Sequence, residues 1–144
     1  MNFYELLERK GIRYEKRGDA VVINGSLDLR GCTGLTALPD NLMADWLYLS
    51  GCTGLTALPD NLMATTLYLN GCTGLKNVVY KQNCGDNNRE IYAAVINGKI
   101  KIGAGCFLGS IDEFYKAVDE KYRGKNAERY KQDAMECVRE LKGN

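Results

Sequence analysis

A twenty-residue unit that recurs almost verbatim is the feature that most constrains this chain. The residues from Gly31 to Ala44 recur letter for letter from Gly51 to Ala64, and a third copy begins at Gly71 and fails after Leu75. A fixed period of this length is typical of proteins built from stacked, nearly identical units. The stretch therefore predicts short elements of one kind lying side by side.

The apolar residues of the unit follow the order Leu-x-Leu-x-x-Cys-x-x-Leu-x-x-Leu-Pro. In the second copy they are Leu47, Leu49, Cys52, Leu55, Leu58 and Pro59. The Leu-x-Leu alternation predicts a short strand with one buried face, and Pro-Asp-Asn is typical of a turn. We therefore expect one strand and one return loop in each unit. Stacked units would share a core that a single unit cannot bury.

This pattern resembles the leucine-rich repeat family, in particular its short bacterial repeats with a Leu-Pro step and its plant repeats with Cys in place of Asn. The resemblance covers roughly residues 26–80, and the chain departs from the common pattern by one extra residue between Cys and Leu. The run Gly-Cys-Thr-Gly-Leu-Thr-x-Leu-Pro before an α/β tail is also similar to small phage and prophage proteins. The resemblance implies a parallel-strand solenoid whose strand face binds proteins.

The segments on either side of the repeats are predicted to cap the ends of such a solenoid. We expect an α/β (α+β) fold: an N-terminal helix and hairpin cap over residues 1–25, about two and a half repeats over 26–80, and a C-terminal ββαα cap over 81–144, together forming one compact domain. Caps are expected because the ends of a solenoid otherwise expose apolar core.

Local signals set the expected elements of the N-terminal cap. Asn2 and Glu5 can form a capping box at the start of a helix that Gly11 ends. Short strands are expected over residues 12–15 and 20–23. The pair Asn24-Gly25 predicts a tight hairpin turn into Leu27.

The C-terminal segment carries a similar set of signals. Residues 81–89 are polar and are predicted to form a loop. The pair Asn97-Gly98 predicts a hairpin between residues 91–96 and 99–102. Residues 103–109 are expected to form a tight connection from strand to helix. Ser110 and Glu113 predict the start of one helix, and Asn126 is expected to cap a second.

Composition excludes several classes of function. The chain has 19 Lys and Arg residues against 18 Asp and Glu residues, which argues against direct nucleic-acid binding. It has no histidine, which excludes imidazole catalysis and His-containing zinc sites. No apolar run is long enough for a membrane span, and the N-terminus does not resemble a secretory signal. We therefore expect a cytoplasmic protein with reduced thiols.

The six cysteines fall into two groups. Cys32, Cys52 and Cys72 follow the repeat and are expected to form one column of small buried side chains, with a metal site or a disulfide as the alternative. Cys84, Cys106 and Cys137 follow no pattern, so we expect them to serve packing. No Cys-x-x-Cys pair, catalytic triad or cofactor-binding loop is present, and we predict no enzymatic activity, metal or cofactor.

The residues between the repeated leucines are the candidate binding site. On each strand they point away from the core, giving three columns: Asp28, Tyr48 and Tyr68; Arg30, Ser50 and Asn70; Ser26, Trp46 and Thr66. Trp and Tyr flanked by Arg are typical of protein-binding hot spots. We nominate Trp46, Tyr48, Tyr68, Asp28, Arg30 and Asn70, with Tyr92 extending the aromatic strip. The alternative is that a cap folds over these rings as ordinary core.

Two functional hypotheses follow. The first is a non-catalytic protein-binding module, and its narrower form, suggested by the phage resemblance, is an inhibitor of a host defence protein that acts by steric occlusion, as an anti-CRISPR does. The second is a structural protein whose exposed face pairs two copies into a homodimer.

Overall fold

The computed structural model describes residues 2–143 and divides the chain into two compact units after Lys76. The described residues form three helices and three separate sheets. The elements of the first unit are α1 (Phe3–Lys10), β1 (Glu15–Arg17), β2 (Ala20–Val22), β3 (Ser26–Asp28), β4 (Leu42–Met43), β5 (Trp46–Tyr48) and β6 (Thr66–Tyr68).

Parallel pairing joins equivalent strands of successive repeats. In the sheet β3-β5-β6, Trp46 pairs with Ser26 on one side and with Thr66 on the other, so each partner lies twenty positions away in the sequence. The ladder continues past the strands, since the Leu29 N–H donates to the Tyr48 carbonyl at 2.9 Å and the Leu49 N–H donates to the Tyr68 carbonyl at 3.0 Å. The period of the sequence is therefore the period of the backbone hydrogen bonds.

The return segment of each repeat also pairs with its neighbour. Val21 and Val22 of β2 pair in parallel with Leu42 and Met43 of β4, while β1 pairs antiparallel with β2 on the other side. A further parallel bridge links Met43 to Met63. Each repeat thus contributes to two sheets, which are separated by a short corner at Ala44 and Asp45.

The Pro-Asp-Asn segments form the turns and stack on each other. The Asn61 side-chain amide donates to the Asn41 side-chain oxygen at 3.0 Å, and the Asp60 N–H donates to the Asp40 carboxylate at 3.0 Å. Both asparagines adopt a left-handed backbone, with φ of 61° at Asn41 and 56° at Asn61. Asn tolerates this conformation better than most residues, which explains its place in the repeat.

Leucines fill the core of the first unit, as the repeat pattern predicts. Those almost fully buried are Leu27, Leu29, Leu35, Leu42, Leu47, Leu49, Leu55, Leu67 and Leu69. Helix α1 adds Phe3, Leu6 and Leu7 to the buried set. Its predicted limits are confirmed: the Asn2 side chain accepts from the Glu5 N–H at 2.9 Å, and Gly11 ends the helix with φ of 66°. Burial of leucine side chains stabilises the unit by roughly 2 kcal/mol each.

The repeats approach so closely that one glycine of the unit has no room for a side chain. A Cβ atom on Gly54 would lie 2.4 Å from the Thr33 carbonyl oxygen of the preceding repeat, and one on Gly74 would lie 2.8 Å from the Thr53 oxygen. Gly34 occupies the same position in the first repeat, and a Cβ atom there would meet nothing within 4 Å.

This difference gives a matched pair of substitutions. Gly54→Ala forces the Thr33 backbone to move and should lower the free energy of unfolding by roughly 2 kcal/mol. Gly34→Ala should change it by less than about 0.5 kcal/mol, because its site is open. Urea denaturation of both variants measures the difference. Equal losses would show that the repeats are not packed against each other in this way.

The second unit packs two helices against an antiparallel sheet. Its elements are β7 (Val78–Cys84), β8 (Arg89–Ile96), β9 (Lys99–Ala104), β10 (Phe107–Gly109), α2 (Ile111–Lys121) and α3 (Gly124–Gly143). The sheet order is β10-β9-β8-β7. The predicted hairpin is confirmed, with β8 and β9 joined at Asn97 and Gly98, both at positive φ. The predicted capping box also forms, because the Ser110 N–H donates to the Glu113 carboxylate at 2.8 Å.

Side chains of β7, β8, β9, α2 and α3 form the core of this unit. Its most buried members are Cys84, Ile91, Ala93, Ile102, Ala134 and Cys137. The turn after β7 is tied to α3 by hydrogen bonds, in which the Gly85 N–H donates to Asp133 at 3.1 Å and the Asp86 N–H donates to Asn126 at 2.9 Å. Lys81 of β7 also forms ion pairs with Asp133 and Glu136 of α3. No helix among residues 2–143 is long and apolar enough to cross a membrane.

The predicted fold class is wrong. The chain is a mixed α/β structure with three sheets, the largest of which is antiparallel, and not a short leucine-rich-repeat-like parallel-strand solenoid between an N-terminal helix and hairpin cap and a C-terminal ββαα cap. The return segment was expected to be a loop, yet it pairs as β4. The tail has four strands because β7 and β10 flank the predicted hairpin.

Several local predictions also need correction. Asn24 and Gly25 do not turn a hairpin into Leu27; the chain passes there from the sheet of β2 to that of β3. Residues 81–84 continue strand β7, with an irregularity between Lys81 and Cys84, and residues 103–109 form the end of β9 and the short β10. Asn126 lies inside α3, where its side chain accepts from the Asp86 N–H and does not cap the helix.

Candidate functional site

Three aromatic side chains lie together on the strand face of the repeats. Trp46 and Tyr48 are on β5, and Tyr68 is on β6, in register with Tyr48. The two tyrosine rings stack with centroids 4.9 Å apart and planes within 3°. The Trp46 ring lies 6.1 Å from Tyr48 and 6.4 Å from Tyr68. We call these three residues, with Asp28 and Arg30 beside them, the aromatic face.

The backbone places these rings with little freedom. Leu47 is fully buried between Trp46 and Tyr48, so the two rings on either side of it point to the opposite face of the sheet. Parallel pairing in register then places Tyr48 beside Tyr68. Their ring centroids are 4.9 Å apart, which is close to the distance between neighbouring strands. Trp46 remains 39% exposed, and it is one of three large exposed hydrophobic residues among residues 2–143, with Tyr14 and Met63.

An ion pair fixes the polar edge of the aromatic face. Arg30 donates to Asp28 through Nε at 2.9 Å and through Nη2 at 2.7 Å, and its guanidinium lies 5.4 Å from the centroid of the Tyr48 ring. Side-chain and backbone hydrogen bonds from Arg30 lower the pKa of Asp28, and the same pairing raises the pKa of Arg30. The fork geometry holds Arg30 in one orientation next to the ring.

Two predicted site residues remain, Asn70 in the first unit and Tyr92 in the second. Asn70 is exposed just beyond β6, and its carbonyl accepts from the Gly51 N–H at 2.8 Å. Tyr92 belongs to the second unit, where it is only 5% exposed. Its ring packs over Gly103, and its centroid lies 6.4 Å from that of the Tyr80 ring. Thr66, on the same column as Trp46, is 3% exposed. Within the first unit, the structure thus brings together Asp28, Arg30, Trp46, Tyr48 and Tyr68.

Sequence reasoning overlooked two exposed apolar residues of the first unit. Met63 lies at the parallel bridge of the other sheet, and Tyr14 precedes β1 with its ring 5.5 Å from Tyr4. A signal for Met63 was present, because it follows the buried Leu62 as Met43 follows Leu42. The unit therefore exposes apolar side chains on more than one surface, but only Trp46 among the three exposed hydrophobic residues lies in contact with two other aromatic rings.

Two of the three repeated cysteines, Cys52 and Cys72, are buried as expected, whereas Cys32 is partly exposed, and each buried thiol bonds to the preceding repeat. Cys52 donates through Sγ to the Leu29 carbonyl at 3.0 Å, and Cys72 donates to the Leu49 carbonyl at 2.9 Å. Burial raises the pKa of Cys52 and raises that of Cys72 to about 11. The neutral thiols therefore act as small buried donors rather than as nucleophiles. Among the described residues, no group of three or more His, Cys, Asp or Glu side chains is placed to hold a metal ion.

The Cys72 thiol predicts a loss of stability at alkaline pH. Its pKa rises from an ordinary 9.0 to about 11 on folding, so the unfolded chain loses the proton first as pH rises. The contribution is complete below pH 9.0 and is lost as pH rises to about 11, for a total of roughly 3 kcal/mol.

Urea denaturation at pH 8 and at pH 10.5 tests this prediction against a Cys72→Ala control. The control keeps every other titrating group, so its stability should fall less with pH than that of the wild-type chain. The same fall in both proteins would show that the Cys72 thiol does not contribute.

No protein-family model, curated protein or solved structure matches this chain. The resemblance to leucine-rich repeats therefore stays a prediction from the sequence, and the functional argument rests on the geometry of the aromatic face.

Proposed function

We propose that this protein is a non-catalytic protein-binding module and that the aromatic face is its binding site. The observation that carries the proposal is the contact among Trp46, Tyr48 and Tyr68 on an ordered sheet, with the largest of the three rings left exposed. Tryptophan, tyrosine and arginine are the residue types enriched at the energetic centres of protein interfaces.

The rigidity of the aromatic face supports this proposal. Binding is weakened when side chains lose rotamer freedom on contact, by about 0.5–1.5 kcal/mol for each one that is immobilised. Here the tyrosine rings already stack, and Arg30 is held by both carboxylate oxygens of Asp28. A partner would meet side chains that are already ordered, so little of this cost would remain.

The surroundings of the rings indicate a partner surface that is apolar at its centre. The charges of Arg30 and Asp28 compensate each other, and Ser26, which pairs with Trp46 in the sheet, is exposed and uncharged. A polar rim around aromatic residues is the usual anatomy of an interface. We therefore infer an apolar or aromatic patch on the partner rather than a strongly charged one.

An affinity-capture experiment tests the proposal. The wild-type chain and the Trp46→Ala, Tyr48→Ala and Tyr14→Ala variants serve as baits in a bacterial lysate. Tyr14 is the matched control, because it is an equally exposed aromatic residue of the same unit away from the aromatic face. The wild-type chain and the Tyr14→Ala variant should retain the same protein, with affinity about 30-fold higher than that of the Trp46→Ala variant.

Two outcomes would contradict the proposal. If all four baits retain the same partner equally, the aromatic face does not bind it. If no protein is captured and sedimentation shows a dimer that Trp46→Ala dissociates, the aromatic face joins two copies of this chain instead.

Because Trp46 is the only tryptophan, its fluorescence reports on the aromatic face directly. A bound partner should reduce the quenching of this fluorescence by acrylamide.

A further inference from the structure

The second unit contains an apolar cavity that the protein-binding proposal does not use. It has a volume of about 160 Å³ and lies between the β9-β10 edge of the sheet and the helices α2 and α3. Phe107, Phe114 and Val118 form its apolar wall, with the two phenylalanine rings 5.4 Å apart in an edge-to-face arrangement. A dry apolar cavity of about 150 Å³ holds one benzene ring. The cavity therefore has room for one ring-sized group.

One wall of this cavity carries a buried hydroxyl without a hydrogen-bond partner. Tyr130 is 2% exposed, and its ring packs directly on Gly85. Its hydroxyl makes no hydrogen bond to any described residue. The Tyr122 hydroxyl and the Asn87 backbone are close enough to influence the pKa of Tyr130, but neither makes a well-formed hydrogen bond to the Tyr130 hydroxyl. Buried polar groups are rarely left without a partner in folded proteins.

Two positively charged side chains also line the cavity. Arg89 and Lys121 both line the cavity, and none of its described lining residues is acidic. Burial acts to raise the pKa of Tyr122, yet the nearby Tyr130 hydroxyl and the charges of Arg89 and Lys121 outweigh it and lower that pKa. The charge of Arg89 also acts to lower the pKa of Tyr130. An anion in this part of the cavity is therefore favoured.

We infer that the cavity binds a small monocyclic carboxylate. The ring of the ligand would lie against Phe107, Phe114 and Val118, and its carboxylate would accept a hydrogen bond from Tyr130 beside Arg89 and Lys121. Contact with the covered Tyr130 hydroxyl requires a shift of Tyr122, whose half-buried ring lies 4.6 Å from that of Tyr130. Tyr122 is the C-cap residue of α2, so its ring can shift while its backbone N–H stays bonded to the Val118 carbonyl at 2.8 Å.

Titration of the ¹⁵N-labelled full chain with benzoate tests this inference, with benzyl alcohol as the uncharged comparison. Benzoate should shift the amide resonances of residues around the cavity in a saturable way, with Kd of about 1 mM or tighter. Benzyl alcohol should bind at least tenfold more weakly, because it lacks the charge that Arg89 and Lys121 attract. Absence of saturable benzoate binding, or equal binding of both compounds, would overturn the inference.

Three variants assign the roles of the cavity residues. Tyr130→Phe should weaken benzoate binding about tenfold while leaving Tm unchanged or higher, since the hydroxyl has no partner in the free protein. Lys121→Gln should weaken benzoate binding but not that of benzyl alcohol, whereas Lys116→Gln, on the same helix but outside the cavity, should change neither. Ala117→Leu should fill the cavity and abolish binding of both compounds.

The control results can also overturn the inference. A marked fall in Tm for Tyr130→Phe would mean that the hydroxyl already has a structural partner. Equal weakening by Lys116→Gln and Lys121→Gln would mean that benzoate responds only to the general surface charge. Unchanged binding in Ala117→Leu would place benzoate outside this cavity, and this variant still gives an answer if Tyr130→Phe fails to fold.

Discussion

Backbone hydrogen bonds between residues twenty positions apart are the constraint on which the first unit depends. Alternate N–H groups of the strand segment donate to carbonyls of the next repeat, as Gly31 does to Ser50 at 2.8 Å and Gly51 does to Asn70 at 2.8 Å. A single three-residue strand cannot hold itself in water, but each added repeat satisfies the backbone of the one before it. The buried thiols and the stacked asparagines add side-chain hydrogen bonds between neighbouring repeats.

The same ladder decides what the unit presents to its surroundings. Because neighbouring side chains of a strand point to opposite faces, fixing Leu47 and Leu67 in the core places Tyr48 and Tyr68 side by side on the other face. The stacking of these rings is therefore a consequence of register and not of local sequence alone. The proposed protein-binding role rests on this placement, while the proposed carboxylate site in the second unit rests on an independent core.

Local signals in the sequence predicted local structure well. The Asn2 cap, the Asn97-Gly98 turn and the Ser110 capping box each depend on residues within a few positions of one another, and each forms. Likewise, the Leu-x-Leu pattern identified the strands that carry Trp46, Tyr48 and Tyr68, since alternation alone separates a buried from an exposed face.

Features that depend on distant partners could not be predicted in this way. Leu42–Met43 becomes a strand only because Val21 and Val22 lie beside it, and two residues carry no periodic signal. Asn is a residue type that often caps helices, but the Asn126 side chain instead accepts a hydrogen bond from the Asp86 N–H, forty positions away. The burial of Thr66 and Tyr92 and the cavity around Tyr130 likewise arise from packing between segments far apart in the chain.

Amide hydrogen exchange followed by NMR tests the central claim most directly. The N–H groups of Leu29, Gly31, Leu49 and Gly51 donate to the following repeat, so we predict that all four are protected to a similar degree, at least about a thousandfold. The Val95 N–H, which donates to Asn77 in the second unit, serves as an internal control for a folded sample. Exchange of Leu49 and Gly51 at the rate of an unstructured chain, with Val95 still protected, would contradict the stacking of the repeats and the aromatic face built on it.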